Sequence, residues 1–226
     1  MKHSTLLGLC AGAMLLAGCA GSGPQMGNLA QADGSESQPL MQASQQGNLN
    51  QVRDLVSRGG SINLRTPSGS PLFVAAQNGH EAVVGYLLQQ GGDPNLVVDG
   101  GDSPLMVAAR AGHQRIVRLL LAGGADVNYQ NAAGDNAVAL AARDGALAVV
   151  KLLIKAGGNV NIAPGGSDSL LMQVVSGNDL LLTQVLIDAG ADVNYQSPHG
   201  RSALDVARGN RSRDLEMLLI QAGAQR

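Results

Sequence analysis

Apolar side chains recur in pairs of short segments along most of the chain. A glycine or an asparagine separates the two segments of every pair except the last, where Arg211 stands instead. Segments 104–111 and 114–122 show this most clearly, with apolar residues three and four positions apart, as on one face of a helix. Gly112 between them is the residue type that best tolerates the positive φ of a sharp reversal. The pattern predicts two short antiparallel helices joined by a tight turn.

The helix pair is repeated at a nearly constant interval. With Pro104-Leu105 as the reference, the equivalent pairs are separated by 32 residues once and by 33 residues four times. They are Pro39-Leu40, Pro71-Leu72, Ala137-Val138, Leu170-Leu171 and Ala203-Leu204. Because one helix pair cannot bury both of its faces, such a series predicts units that stack into a solenoid.

The fullest copy of the repeat carries specific motifs. They are Gly101-Asp102-Ser103-Pro104-Leu105, Ala108-Ala109, Gly112-His113 and Gly124-Ala125-Asp126-Val127-Asn128. Together they resemble the ankyrin repeat, over residues 36–226. The resemblance implies an all-α ankyrin-repeat solenoid of about six helix-turn-helix units with projecting β-turn or hairpin loops. The family's usual histidine after the Pro-Leu pair is absent, with Met106 in its place in this copy, so its Thr–His hydrogen bond is not expected.

The first 38 residues have a different character. A positive start is followed by an apolar run over residues 5–17, typical of an export signal. Leu16-Ala17-Gly18-Cys19 resembles the bacterial lipobox, which implies a lipoprotein signal peptide over 1–18 and a lipid on the Cys19 thiol. An ordinary cleaved signal or an uncleaved helix is the alternative. Ala20 favours the outer membrane by resemblance to known sorting rules.

Residues 19–38 are predicted to be a lipid-anchored flexible linker, and residues 39–226 the repeat domain. The linker is rich in Gly, Ser and Gln and has few large apolar side chains. A random coil of this length spans on the order of 25 Å, enough to hold the array away from a membrane.

Composition and motifs argue against several function classes. The net charge of −2 provides no basic stripe for nucleic acid. No nucleophile elbow, phosphate loop or HExxH helix is present, so we expect no enzyme, no cofactor and no metal site. His80 and His113 occupy the same position of successive units, and we assign them a structural role because no other ligand residues accompany them.

Two series of polar residues are not required for packing and are predicted to bind a partner protein. The first lies in the loops between units: Asp99, Asp102, Asp135, Asp168 and Arg201. The second lies at the ends of first helices, which the resemblance places on the concave side: Gln77, Asn78, Arg110, Arg143 and Asp144. An ordinary solvated surface is the alternative reading.

Tyr129 and Tyr195 each directly follow the repeated Asn of their unit and lie two repeats apart. Tyrosine is enriched at interfaces, so both are added to the predicted contact surface, although packing along the loop would explain them equally well.

These features predict a monomeric, non-catalytic protein-binding module, lipid-anchored to the bacterial outer membrane and facing the periplasm. Its partner would be another periplasmic protein. Two roles fit such a module: an immunity-type inhibitor of a toxin or secreted hydrolase, and a scaffold that stabilises a periplasmic enzyme such as a catalase. The rival class is a structural envelope protein that contacts peptidoglycan or self-associates.

Overall fold

A computed structural model describes residues 37–99 and 101–225 of the chain. The predicted signal peptide, Cys19 and the linker up to residue 36 lie outside the described residues. The described part contains twelve α-helices. They are α1 (Ser37–Gln46), α2 (Leu49–Ser57), α3 (Pro71–Gln77), α4 (Glu81–Gln89), α5 (Pro104–Arg110), α6 (Gln114–Ala122), α7 (Ala137–Arg143), α8 (Leu147–Lys155), α9 (Leu170–Ser176), α10 (Leu180–Asp188), α11 (Ala203–Gly209) and α12 (Arg213–Gln221).

The predicted all-α repeat solenoid is confirmed, with six helix pairs. Throughout the described residues the loops between pairs are built from turns rather than strands. Thr66 and Gly69 form an isolated bridge, and Pro164–Gly166 forms a 3-10 turn. None of the helices in this part of the chain has the length and apolar character needed to cross a bilayer.

Side-chain caps begin the first helix of five repeats. The Ser103 hydroxyl accepts a hydrogen bond from the Met106 amide at 3.3 Å, and Pro104 occupies the first helical position, where no amide hydrogen is needed. The other four caps accept the equivalent amide hydrogen bond through a side-chain oxygen, and they are Ser70, Asn136, Ser169 and Ser202. These caps satisfy backbone donors that a seven-residue helix would otherwise leave free.

The turn within each pair has a positive φ. Gly112 has a φ of 71°, and Asn178 and Arg211 adopt 58° and 56° at the equivalent positions of the last two repeats. Glycine also leaves room for the next repeat, because a Cβ on Gly79 would lie 2.9 Å from Cε1 of His113. The positive φ therefore occurs at this position of every repeat, even where the residue is not glycine.

The helices form two rows. The odd-numbered helices pack on one another as the inner row, and the even-numbered helices form the outer row. Leucine, or valine in the fourth repeat, fills the space between the rows from the Pro-Leu position of each inner helix, with Leu105 fully buried. Its equivalents Leu40, Leu72, Val138, Leu171 and Leu204 are 0–1% exposed. Burial of one leucine side chain contributes about 2 kcal/mol, so the repeated core explains the stack.

A ladder of asparagine side chains links every repeat to the next. Asn128 donates from Nδ2 to the carbonyl of Gly157 at 3.1 Å and accepts at Oδ1 from the Asn159 amide at 2.7 Å. Asn63, Asn95, Asn161 and Asn194 make the same pair of bonds. The ladder holds the loop ends of the outer helices at a constant spacing.

Candidate functional site

The predicted residues at the ends of inner helices are exposed along one edge of the inner row. Gln77, Arg110 and Arg143 are the last residues of α3, α5 and α7. Asn78 and Asp144 follow α3 and α7 as exposed caps, and Asn78 donates to the Val74 carbonyl at 2.7 Å. The structure therefore brings this predicted series together as a polar strip.

The two predicted series meet in ion pairs. Arg110 contacts Asp102 at 2.6 Å, and the Asn131 amide donates to the other oxygen of that carboxylate at 2.7 Å. Arg143 forms a two-pronged pair with Asp135, one contact being 3.2 Å. The arginine side chains are each 47% exposed, whereas those of Asp102 and Asp135 are only 16% and 9% exposed. The arginines therefore present charge to solvent, and the aspartates hold them in place.

The fifth repeat departs from this arrangement. Ser176 stands where Arg110 and Arg143 stand in the earlier repeats, so Asp168 has no arginine in its own repeat. Asp168 pairs instead with Arg201, its equivalent in the sixth repeat. Asp99 is exposed, has a φ of 50°, and takes part in none of the ion pairs within residues 37–99 and 101–225.

The two predicted tyrosines pack along the loops. Tyr129 donates its hydroxyl to the Gly101 carbonyl at 3.1 Å, and Tyr195 donates to the Ser167 carbonyl at 3.2 Å. Both side chains are half-buried. They connect adjacent loops and leave only part of each ring for a partner.

At some junctions between repeats, but not at others, a side chain at the turn of one repeat bonds to a backbone carbonyl of the preceding repeat. His80 bonds through Nε2 to the Gln45 carbonyl at 2.8 Å, and His113 to that of Gln77 at 3.3 Å. At the last junction Asn210 donates to the carbonyls of Val175 and Ser176. In the fourth repeat the histidine position holds Ala146, and in the fifth it holds Asp179, which caps its own helix by accepting from Leu182 at 2.9 Å.

A cleft of about 310 Å³ opens between α7 and α9, where this tether is missing. Its apolar lining comes from Ala142, Leu170, Val174 and Leu182, and its polar lining from Arg143, Gln173 and Asp179. Gln173 stands where the inner helices of the second, third, fourth and sixth repeats carry valine or leucine, and only the first repeat shares its glutamine, as Gln42. The sequence analysis did not predict Gln173, Val174 and Asp179 as site residues, although the substitutions in the fifth repeat were a visible signal.

Family and structure comparisons agree on the fold. The family model for ankyrin repeats (3 copies) matches residues 40–131 and 72–164, which together exceed half of the chain.

The chain belongs to the ankyrin-repeat family.

Two solved ankyrin-repeat domains are similar to it over 83% of its length. One is an ankyrin repeat domain from Acinetobacter baumannii, with 30% identity, a TM-score of 0.77 and 98% of that chain covered. The other is the ankyrin repeat domain of Bcl-3, a member of the IkappaB protein family, with 29% identity, a TM-score of 0.76 and 86% covered. A comparison with curated protein sequences gave no match.

Ankyrin repeats indicate a protein-protein interaction module, and domains of this family are generally not catalytic. The polar strip and the cleft lie on the inner row, which lines the concave side of an ankyrin solenoid. No cluster of three or more potential metal ligands occurs within the described ranges. The arrangement can bind a surface by shape and charge.

A second depression, of about 550 Å³, lies at the other end of the ankyrin array, between α1, α3 and the first loop. Its polar lining is entirely uncharged: Gln38, Gln42, Gln45, Thr66, Ser68, Gln77 and Asn78. Met41 and Val74 supply the apolar part. This end of the inner row can exchange hydrogen bonds with a neutral surface, whereas the middle of the row carries the charges of Arg110 and Arg143.

Proposed function

We propose that the ankyrin array binds a periplasmic protein through its inner row, and that the chain is held at the outer membrane by a lipid on Cys19. The observation that carries the binding proposal is the cleft between α7 and α9 beside Arg143. It combines an apolar floor with a charged rim, which is the composition of an interface centre that receives a side chain of the partner.

Preorganisation supports tight binding at this surface. Arg110 and Arg143 are already held by Asp102 and Asp135, so a partner carboxylate would meet guanidinium groups whose positions are largely set. The asparagine ladder fixes the spacing between repeats in the same way. A rigid surface of this kind suits an inhibitor that captures a toxin or secreted hydrolase, which is the role we propose first.

The binding test uses an envelope extract and the array of residues 37–226 as bait, since this part of the chain contains the whole described core. The captured partner is then titrated against a variant with Arg110→Gln, Arg143→Gln and Gln173→Arg, three exposed or half-buried side chains. We expect the affinity to fall at least about thirtyfold, as for a hot spot of 2 kcal/mol or more. Arg118→Gln with Lys151→Gln on the outer row is the matched control and should leave the affinity unchanged. Equal affinity for both variants would remove the inner row as the binding surface.

The effect of the array on the activity of the captured partner distinguishes an inhibitor from a stabilising scaffold. Adding the array to a purified hydrolase or toxin should abolish its activity at a one-to-one ratio if the chain is an inhibitor. An oxidant-defence enzyme such as a catalase should instead gain thermal stability without losing turnover. Sedimentation with isolated peptidoglycan, with no soluble partner captured, would support the structural alternative.

Anchoring is tested separately with Cys19→Ala in the full chain. We expect this variant to lose the incorporation of labelled fatty acid, because the thiol that would carry the lipid is gone. Retention of the lipid label in this variant would contradict Cys19 as the attachment site.

A further inference from the structure

Exposed apolar side chains are concentrated on the last two outer helices. Leu180 and Leu181 of α10 are 44% and 56% exposed, and Met217 and Ile220 of α12 are 59% and 43% exposed. Among the described residues these are the large apolar side chains with strong exposure. Single exposed apolar residues need no explanation, but a contiguous group marks a surface that is covered by something.

The same outer face is basic in the preceding repeats. Met217 is equivalent in the repeat to Gln184, Lys151 and Arg118, each 33 residues apart. Outer helices α6 and α8 carry Arg115, Arg118, Lys151 and Lys155 and contain no acidic residue. Arg118, Lys151 and Lys155 are exposed and form no ion pair within the described ranges, while Arg115 contacts Glu81 at 3.5 Å.

Charge is therefore separated across the array. The loops between repeats carry seven of the fourteen aspartates, at positions 93, 99, 102, 126, 135, 168 and 192. The chain as a whole has a net charge of −2, so the positive outer face is a local feature and not a consequence of overall charge. With helix layers about 10 Å apart, the basic residues of α6 and α8 and the exposed apolar residues of α10 and α12 lie on four successive outer helices.

The shape of the apolar part limits what can cover it. The groove between α10 and α12 is shallow, about 280 Å³, and is bordered by Leu180, Met217 and Leu218 with Asp214 at its edge. Protein hot spots are enclosed pockets from which water is excluded. A shallow apolar surface beside free cations is instead the combination found in proteins that lie on an anionic bilayer.

We propose that the outer face of α6, α8, α10 and α12 docks on an anionic phospholipid bilayer, with the cations at the headgroups and the four apolar side chains in the interface. This docking proposal rests on the lipid anchor at Cys19 that is part of the proposed function. Asp188 and Asp214 border the apolar part and oppose this contact, so it is weak and reversible by itself. A tether at Cys19 would supply the effective concentration that it needs. Docked this way, the array turns its inner row towards the periplasm.

The experiment uses residues 37–226, which omit Cys19, and vesicles of phosphatidylglycerol and phosphatidylcholine in equal parts. We expect the array to sediment with these vesicles, to be released by salt, and to bind pure phosphatidylcholine vesicles much less. Lys151→Gln should lower the partition coefficient about fivefold, the effect of one charge near an anionic surface. Leu181→Glu combined with Met217→Glu should abolish sedimentation.

The matched control is Gln38→Glu combined with Gln42→Glu, which adds the same charge at exposed positions of α1 on the inner row. The vesicle binding of this variant should fall only by the small amount that a distant added charge causes. Failure of the array to bind anionic vesicles would overturn the proposal, as would equal binding by the Leu181 and Met217 variant. Capture of an acidic protein by this face, with no vesicle binding, would assign it to a protein partner instead. None of these outcomes bears on the inner-row test, which uses no lipid.

Discussion

The carboxamide of Asn128 bonds both ways to the next repeat, donating to the Gly157 carbonyl at 3.1 Å and accepting from the amide two residues beyond it. Asn128→Ala removes both bonds at once. We expect the free energy of unfolding to fall by about 1–2 kcal/mol, because water can reach the freed backbone groups and recover part of the loss.

Urea denaturation followed by circular dichroism measures this change, and amide hydrogen exchange at Asn159 should accelerate in the variant. Gln130→Ala, at an exposed position two residues away, is the control and should change stability by less than about 0.5 kcal/mol. Equal effects of the two substitutions would show that the ladder contributes nothing measurable.

The Asp135 and Arg143 pair should respond asymmetrically to substitution. Arg143→Met keeps the aliphatic stem but leaves a carboxylate that is only 9% exposed without its cation. We expect this to cost about 1–2 kcal/mol. Asp135→Asn leaves an arginine that is 47% exposed and readily solvated, so its cost should stay below about 1 kcal/mol. Thermal unfolding of both single variants and of the double variant measures the loss of stability in each. A larger loss for Asp135→Asn than for Arg143→Met would contradict the prediction.

Arg211 is strained at its turn. Its φ of 56° is disfavoured for a residue with a side chain, and glycine adopts this conformation at the first four turns of the array. Arg211→Gly should raise the free energy of unfolding by about 0.5–1 kcal/mol, the relief of strain being partly offset by the greater freedom of glycine in the unfolded chain. Asn178→Gly should gain less, since asparagine tolerates positive φ better. Chemical denaturation measures the free energy of unfolding of both variants. A loss of stability in Arg211→Gly would contradict the claim that Arg211 is strained.

Asp205 should make stability depend on pH at the sixth repeat. The hydroxyl and the backbone amide of Ser202 donate to its carboxylate at 2.7 and 2.9 Å, and they hold the pKa of Asp205 below its ordinary value of 3.8. A carboxyl group whose pKa is lower in the folded state stabilises the fold above its unfolded pKa, and this stabilisation is lost as the pH falls through the folded value.

The stability difference between the natural protein and Asp205→Asn should therefore be largest near neutral pH and shrink as the pH falls below about 4. Urea unfolding at several pH values measures it. In a Ser202→Ala background both the side-chain donor and the cap are gone, so Asp205→Asn should then show a much weaker pH dependence. An unchanged dependence in that background would exclude the capping box as its cause.

The period, the helix caps and the turn glycines could be read from the sequence because each is a local rule that recurs from repeat to repeat. Ser103 and Pro104 mark a helix start by their own chemistry, and Gly112 marks a turn by its backbone freedom. Asn178 could be read as a turn in the same way, whereas Arg211 breaks the pattern in the sequence, and only the structure shows that it adopts the same positive φ.

Pairings between separate segments depended on the tertiary structure. The sequence showed an aspartate series and an arginine series, but the stacking of loops on helix ends made them partners, with Asp168 turning to Arg201 where Ser176 interrupts the series. The cleft between α7 and α9 likewise depends on how the inner helices of the fourth and fifth repeats stack. Local propensity decides which segments are helices, whereas the distance between side chains 33 residues apart is set only when the repeats pack.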